Sequence, residues 1–182
     1  MARKSGRNVS GLSRPKRDVR NKSVLGGHRE SIALVRWRRA YCSREVARMN
    51  VNGTCHCRTL VFSAEVDAQT AGVCHCEDCQ TMSGSAFRWS VSSLPDQFAF
   101  TEGKPSIYVK VGASGNQRAQ AFCPNCGTHI YSAPIESTDT VYRIRVGALH
   151  QKSQLKPRKQ IWCSSAQPWV NELNSLLENE KQ

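Results

Sequence analysis

The sequence lacks the long apolar runs of a membrane protein. No stretch of its 182 residues approaches the roughly 20 consecutive apolar residues that a membrane-spanning helix needs. The N-terminus also has no apolar core of the kind that a secretory signal requires. We therefore expect a soluble, cytoplasmic protein in a reducing compartment, with no membrane partner. A nuclear location and a transit peptide are the open alternatives.

Acidic residues are scarce, and the imbalance is confined to one end of the chain. Residues 1–50 contain 14 Lys or Arg against 3 Asp or Glu, whereas residues 51–182 contain 12 against 11. The formal net charge of +12 therefore belongs almost entirely to the N-terminal segment. The remainder is nearly neutral and has no basic face suited to nucleic acid. Any nucleic-acid contact is expected only through residues 1–48.

The N-terminal segment also lacks a regular apolar pattern. We predict that residues 1–48 form a basic extension that is disordered or partly helical, and that residues 49–182 form one zinc-binding β domain. Three interpretations of the extension stay open. It could contact phosphates of a nucleic acid, act as an Arg-rich transit peptide, or be a dispensable segment that precedes a natural start at Met49.

The body of the chain has the two-residue period of β-strands. Short apolar runs are separated by breaks rich in Gly, Pro, Asn and Asp, a pattern typical of an antiparallel all-β domain. The stretch TCHCRTLVF, from Thr54 to Phe62, is predicted to be one of these strands. A single helix is predicted near the C-terminus in PWVNELNSLLENE, where Pro168 suits the first turn and four apolar residues share a face, Trp169, Leu173, Leu176 and Leu177.

Cysteine is abundant, and its spacing indicates metal binding. The count of nine is odd, and clustered cysteines in a reducing compartment are more often metal ligands or catalytic thiols than disulfides. One C-x-C pair and one C-P-N-C-G turn offer two thiolates each, enough to close a tetrahedral structural site. The predicted ligands of this structural zinc are Cys55, Cys57, Cys123 and Cys126.

A third cluster has one thiolate fewer. Cys74, Cys76 and Cys79 supply three ligands, and three protein ligands with one exchangeable position are typical of a catalytic zinc. Two alternatives stay open. A histidine could complete the shell, the candidates being His75, His129 and His150, or two of the cysteines could form a reversible disulfide without metal.

The cysteine pattern resembles a known family. C-H-C, then C-H-C-x-x-C followed by S-G-S-A-F, then F-C-P-x-C-G-T and a late IW…PW resemble the glutathione-dependent formaldehyde-activating family, which includes the centromere protein V domain. The resemblance covers about residues 50 to 170. The chain departs from the family pattern at Arg58, where many members have glycine.

The resemblance implies a fold, a cofactor and an activity. The expected fold is mainly β, an antiparallel β-tent stapled by zinc, with a short C-terminal helix. Two zinc ions are implied, a structural one at the four cysteines and a catalytic one at Cys74, Cys76 and Cys79. The implied reaction is that of a carbon–sulfur lyase acting on a glutathione, or other thiol, adduct of formaldehyde or a small aldehyde.

The substrate contacts are not fixed by the pattern. Arg88, Arg118 and Lys110 are candidates for binding glutathione only because they are basic and lie inside the β domain. The alternative to an enzyme is a non-catalytic zinc-binding interaction module whose basic N-terminal arm contacts nucleic acid. Methionine sulfoxide reduction would need a catalytic cysteine near the C-terminus, and Cys163 lacks the flanking pattern for it.

Overall fold

The computed structural model describes residues 46–112, 115–135 and 137–181. Cys42 and the predicted N-terminal extension up to residue 45 lie outside the described residues. As the two-residue period predicts, the described part is mainly β. Its strands are β1 Arg48–Thr54, β2 Val61–Cys74, β3 Arg88–Glu102, β4 Ser106–Val111, β5 Gln117–Phe122, β6 His129–Pro134, β7 Arg143–Arg145 and β8 Lys159–Ile161.

The strands form one sheet with the spatial order β1-β2-β3-β7-β6-β5-β4. Every neighbouring pair along this path is antiparallel. β8 lies off the path and pairs with β2 in parallel. The long strands β2 and β3 pair with each other, and three register shifts interrupt their pairing. The predicted mainly antiparallel fold is confirmed, with β8 as a parallel addition.

Helices are few and short. The helix α1 spans Glu77–Ser83 and ends at Gly84, which adopts a left-handed φ of 63° as helix C-caps commonly do. None of the helices in the described part of the chain is long and apolar enough to cross a membrane. The other helical segments are short 3₁₀ turns, at Val146–Ala148, Lys152–Gln154, Cys163–Ser165 and Pro168–Ser175.

The core lies against the apolar face of the central strands. Phe62 stacks on Phe98 with ring centroids 5.4 Å apart, and Phe98 contacts Tyr131 and Tyr142 at 5.0 and 4.9 Å. These rings pack against buried aliphatic side chains from β2, β3 and β7. Cys55 and Cys123 belong to the same buried cluster, so the core helps to position the turns that carry them.

Two local predictions are wrong. The stretch from Cys55 to Leu60 is the turn that connects β1 and β2, not part of a strand, because the chain reverses there to place β2 beside β1. The C-terminal helix is short, as predicted, but it is a 3₁₀ helix over Pro168–Ser175 with Pro168 at its start. Trp169 and Leu173 on it are exposed, so no apolar face is buried in the described residues to support an α-helix.

Candidate metal centres

Four cysteines from two distant turns meet at one point. Cys55 and Cys57 lie in the turn between β1 and β2, and Cys123 and Cys126 lie in the turn between β5 and β6. Their Sγ atoms all lie within 4.8 Å of one another. Gly127 leaves the second turn with a φ of 71°, the left-handed conformation expected after a C-x-x-C turn.

Hydroxyl groups surround the four thiols. Thr59 Oγ1 lies 2.7 Å from Cys57 Sγ, and Thr128 Oγ1 lies 3.2 Å from Cys126 Sγ. The hydrogen bond with Thr128 lowers the pKa of Cys126 to about 5. Thr128 Oγ1 also accepts a hydrogen bond of 3.1 Å from the backbone N–H of His56, which ties the two turns together. The surroundings therefore favour the thiolate at Cys126, whereas the pKa of Cys57 is raised.

The three-cysteine cluster is built at the end of a strand. Cys74 is the last residue of β2, Cys76 immediately precedes α1, and Cys79 is the buried residue of that helix. The three Sγ atoms lie within 4.8 Å of one another, with 3.6 Å between those of Cys74 and Cys76. The end of β2 and the first turn of α1 therefore bring the three thiols close together.

No fourth ligand joins this cluster within residues 46–112, 115–135 and 137–181. No histidine, aspartate or glutamate there lies within 4.8 Å of the three thiols. His75 is buried on the other side of the strand, where its Nε2 lies 3.0 Å from Gln160 Oε1 and its ring contacts Phe87 edge-on. His56 is exposed to solvent. Neither histidine lies with the three cysteines, so the alternative completion of the shell by His75 is not seen in the described residues.

The thiols of this cluster differ in their readiness to ionise. The hydrogen bond from Cys79 is the main reason that the pKa of Cys74 falls to about 5, and the charge of Arg88 lowers it further. The same hydrogen bond, followed by burial, raises the pKa of Cys79. Every cysteine of the described residues is free, so the structure holds no disulfide between any two of them.

The spacing of both clusters suits zinc. A tetrahedral zinc with Zn–S bonds of about 2.3 Å places its sulfur ligands about 3.8 Å apart. The Sγ atoms of Cys55 and Cys57 are 3.5 Å apart, and those of Cys57 and Cys123 are 3.6 Å apart. Both donor sets consist only of sulfur, which zinc and other soft metals prefer. The two clusters could therefore each hold a metal ion.

The loop after α1 borders a cleft of about 670 Å³. Gly84 and Ser85 donate their backbone N–H groups to Gln80 O and so close the helix, which leaves those two groups engaged. Arg88 and Arg145 line the same cleft. The sequence pattern alone missed Arg145 and its neighbour Arg143, because a period of two along a strand does not say which strands become neighbours.

Most of the described chain matches a known sequence family. The sequence pattern of the glutathione-dependent formaldehyde-activating enzyme matches residues 50–165, which include all seven clustered cysteines. The chain belongs to this family. Members of the family bind zinc, in agreement with the two cysteine clusters.

Individual relatives are more distant. An uncharacterized lyase of Schizosaccharomyces pombe is 33% identical over an alignment of 85 residues, and the match covers 44% of this chain and 56% of that protein. The match thus spans little more than half of the yeast protein. The crystal structure of a Rhodobacter sphaeroides protein is 17% identical with a TM-score of 0.43, and the match covers 56% of this chain and 88% of that one.

Proposed function

We propose that the chain is a zinc-dependent carbon–sulfur lyase that acts on the glutathione, or other thiol, adduct of formaldehyde or a small aldehyde. The observation that carries the proposal is the three-thiol cluster of Cys74, Cys76 and Cys79, which no fourth side chain completes within the described residues. Membership of the formaldehyde-activating family and the lyase name of the yeast relative support the same class of reaction.

The reaction needs one bond to break and one proton to move. In the lyase direction the C–S bond of the hydroxymethyl thioether breaks, the hydroxyl loses its proton as the carbonyl forms, and the sulfur leaves as a thiolate that is then protonated. A zinc ion bound at the three cysteines would supply a Lewis acid for the oxygen or a partner for the sulfur.

The chain's own residues prepare this site in two ways. Cys74 and Cys79 are almost fully buried, so water has limited access to the thiols. Arg88 lies directly opposite Cys74 in the pairing of β2 with β3 and places a positive charge beside the sulfur cluster. That charge favours the anionic forms of both ligand and leaving thiol.

The four-cysteine cluster has a different proposed role. With Cys55 and Cys123 fully buried, a metal held there by Cys55, Cys57, Cys123 and Cys126 would have no free position for a substrate. We assign it to stability, since it joins the turn after β1 to the turn after β5. The proposed zinc content is therefore two ions per chain, one structural and one exchangeable.

The direct test is turnover of S-hydroxymethylglutathione by the zinc-loaded chain, followed as formaldehyde release. The Cys76→Ser variant should lose turnover while it keeps its fold and one zinc. A wild-type chain that holds two zincs but neither forms nor cleaves any thiol–aldehyde adduct would refute the lyase.

A truncated chain distinguishes the lyase from the non-catalytic alternative, a zinc module that binds nucleic acid. Removal of residues 1–45 keeps β1 intact, including the backbone of Ala47, which accepts a hydrogen bond from Ala68. A lyase should be indifferent to this deletion. A nucleic-acid module should instead lose a strongly salt-dependent affinity, because most of the positive charge lies in the removed segment.

A further inference from the structure

Four arginines gather on one face of the sheet. They are Arg88 on β3, Arg118 on β5, and Arg143 and Arg145 on β7, and we call them the arginine face. Residues paired across antiparallel strands share a face, as do residues two apart along one strand. These two rules, applied to the observed pairing, place all four on the same side.

The pairing runs from β3 to β5. Ser90 lies opposite Arg145 and Ser92 opposite Arg143, so Arg88, two residues before Ser90, faces the same way. Arg143 in turn lies opposite Ser132 of β6, and Ser132 lies opposite Gln120 of β5. Arg118 is two residues before Gln120 and completes the set.

This face is polar although it is largely buried. Four neutral polar side chains there are at most 6% exposed, Ser90, Ser92, Gln120 and Ser132. Arg145 is 8% exposed, and its Nη2 donates to Gln120 Oε1 at 3.0 Å. Arg145 Nη1 and Arg88 Nε are buried and have no hydrogen-bond partner in the structure. Donors left unpaired in this way are costly unless a ligand accepts from them.

No carboxylate of the described residues pairs with the four arginines. The ion pairs found there join Arg48 to Glu65 and Lys110 to Asp78. Lys110, opposite Arg118 on β4, is thus already engaged by α1. Burial and then the charge of Arg88 lower the pKa of Arg145 to about 9, which shows how closely the positive charges are held.

The cysteines do not balance this charge. Three thiolates with one Zn²⁺ carry about −1 in total, against +4 from the arginines, so an excess of about +3 stays without a partner. A face built only to neutralise the metal centre would need one arginine. The excess is suited to an anionic ligand.

We propose that the arginine face binds the carboxylate groups of the thiol substrate. The proposal rests on the lyase function and adds how the substrate is recognised. Planar guanidinium groups pair with carboxylates through two parallel hydrogen bonds. Arg88 lines both a constriction of about 10 Å³ next to Cys74 and Arg143 and the cleft of about 670 Å³, which Arg145 also lines. None of the three cysteines lines that cleft, so a small peptide bound there would place its carboxylates on Arg88 and Arg145 and direct its sulfur past Arg88 towards Cys74.

The test measures binding without turnover. Isothermal titration calorimetry of the zinc-loaded full chain would use S-methylglutathione, whose sulfur cannot become a thiolate, and its diethyl ester, which lacks both carboxylate charges. Succinate serves as a carboxylate probe without sulfur. We expect the ester to bind at least about tenfold more weakly than the acid, since each lost charge-assisted bond is worth about a factor of ten.

Single variants locate the site. Arg118→Gln and Arg143→Gln should each weaken the binding of S-methylglutathione about tenfold and leave the binding of its diethyl ester unchanged. Arg48→Gln removes an exposed arginine of the same charge from the edge strand β1 and should change neither. Unchanged circular dichroism and zinc content confirm that each variant is folded, and Arg118 is the safer choice because it is only half-buried.

Each outcome separates this inference from the lyase proposal. Equal binding of acid and ester, unaltered binding by both arginine variants, or no binding of either carboxylate probe would overturn the arginine face, even if thiol–aldehyde turnover were intact. Binding of succinate that the arginine variants weaken, with no affinity for S-methylglutathione, would support the carboxylate site and refute glutathione as its ligand.

Discussion

Cys74, the last residue of β2, lies directly opposite Arg88, the first residue of β3. Paired residues of antiparallel strands present their side chains on the same face, so the guanidinium stands beside the thiol. The charge of Arg88 contributes to the low pKa of Cys74 and also counters the raised pKa of Cys79. One strand pairing therefore sets the electrostatics of the proposed open metal site.

The first prediction follows from that pairing. Replacing Arg88 by Gln removes a cation that favours the thiolate ligands, and we expect zinc to leave the three-cysteine cluster several-fold faster. Competition with a chromophoric chelator measures the release. The zinc at the four cysteines should be retained, because Arg88 does not shift the thiol pKa of Cys55, Cys57 or Cys126. Arg48→Gln is the matched control, and identical release from both variants would contradict the prediction.

The second prediction distinguishes the two clusters by stability. Cys123 is fully buried, and its carbonyl accepts the N–H of Gly127 in the turn that carries two of the four thiols. Structural zinc sites contribute on the order of 10 kcal/mol, so Cys123→Ser should be molten or insoluble. Cys76→Ser, at a partly exposed position before α1, should unfold within a few degrees of the wild type.

Thermal unfolding and zinc content of the two variants check this assignment. A stable, active Cys123→Ser protein would show that the four-cysteine cluster is not structural. Collapse of Cys76→Ser instead would mean that the roles of the two clusters are exchanged.

Sequence spacing predicted which cysteines come together better than it predicted the backbone around them. The C-x-C and C-x-x-C spacings suffice to bring sulfurs together, whether the chain between them is strand or turn. Cys55 and Cys57 lie in a turn, yet their Sγ atoms approach to 3.5 Å as the strand prediction required. The predicted grouping of the cysteines therefore holds although the predicted local structure is wrong.

The arginine face could not be predicted in this way. Arg88 and Arg143 are far apart in sequence, and their meeting depends on β7 pairing with the distant strand β3 as well as with β6, the strand that precedes it in the chain. The non-sequential order β3-β7-β6-β5 is a property of the whole sheet. Local periodicity also missed α1, because its seven residues are too few to establish a helical period.

The third prediction concerns protons released by zinc. The raised pKa of Cys79 keeps this thiol protonated at neutral pH, whereas Cys74, with a pKa of about 5, is already a thiolate. Zinc binds only the thiolate, so binding must release the Cys79 proton, and zinc affinity should rise as pH rises. Below about pH 5 Cys74 also protonates, and the dependence should steepen.

Calorimetric titration of zinc into the chain stripped of its exchangeable ion, in buffers of different ionisation enthalpy, counts the released protons. At least one proton per zinc is expected at pH 7. Release of none, or an affinity that does not change with pH, would falsify the prediction.

The fourth prediction concerns the strained turn beside the structural cluster. Arg58 has a φ of 65°, the left-handed region that disfavours residues with a Cβ, and its N–H donates to Cys55 O at 3.0 Å. Glycine adopts this conformation without steric cost because it has no Cβ. Arg58→Gly should therefore stabilise the chain by up to about 1 kcal/mol, measured by denaturant unfolding, despite the greater entropy that glycine loses on folding.

Asp96 provides the matched comparison, because it also has a left-handed φ, of 55°. Aspartate tolerates that region better than arginine, and its Oδ1 accepts a hydrogen bond of 3.0 Å from the N–H of Thr140. Asp96→Gly should therefore destabilise the chain, because it removes a hydrogen bond while relieving little strain. If both glycine variants shifted stability in the same direction and by the same amount, backbone strain at Arg58 would not be the cause. Opposite signs would show that glycine relieves backbone strain at Arg58.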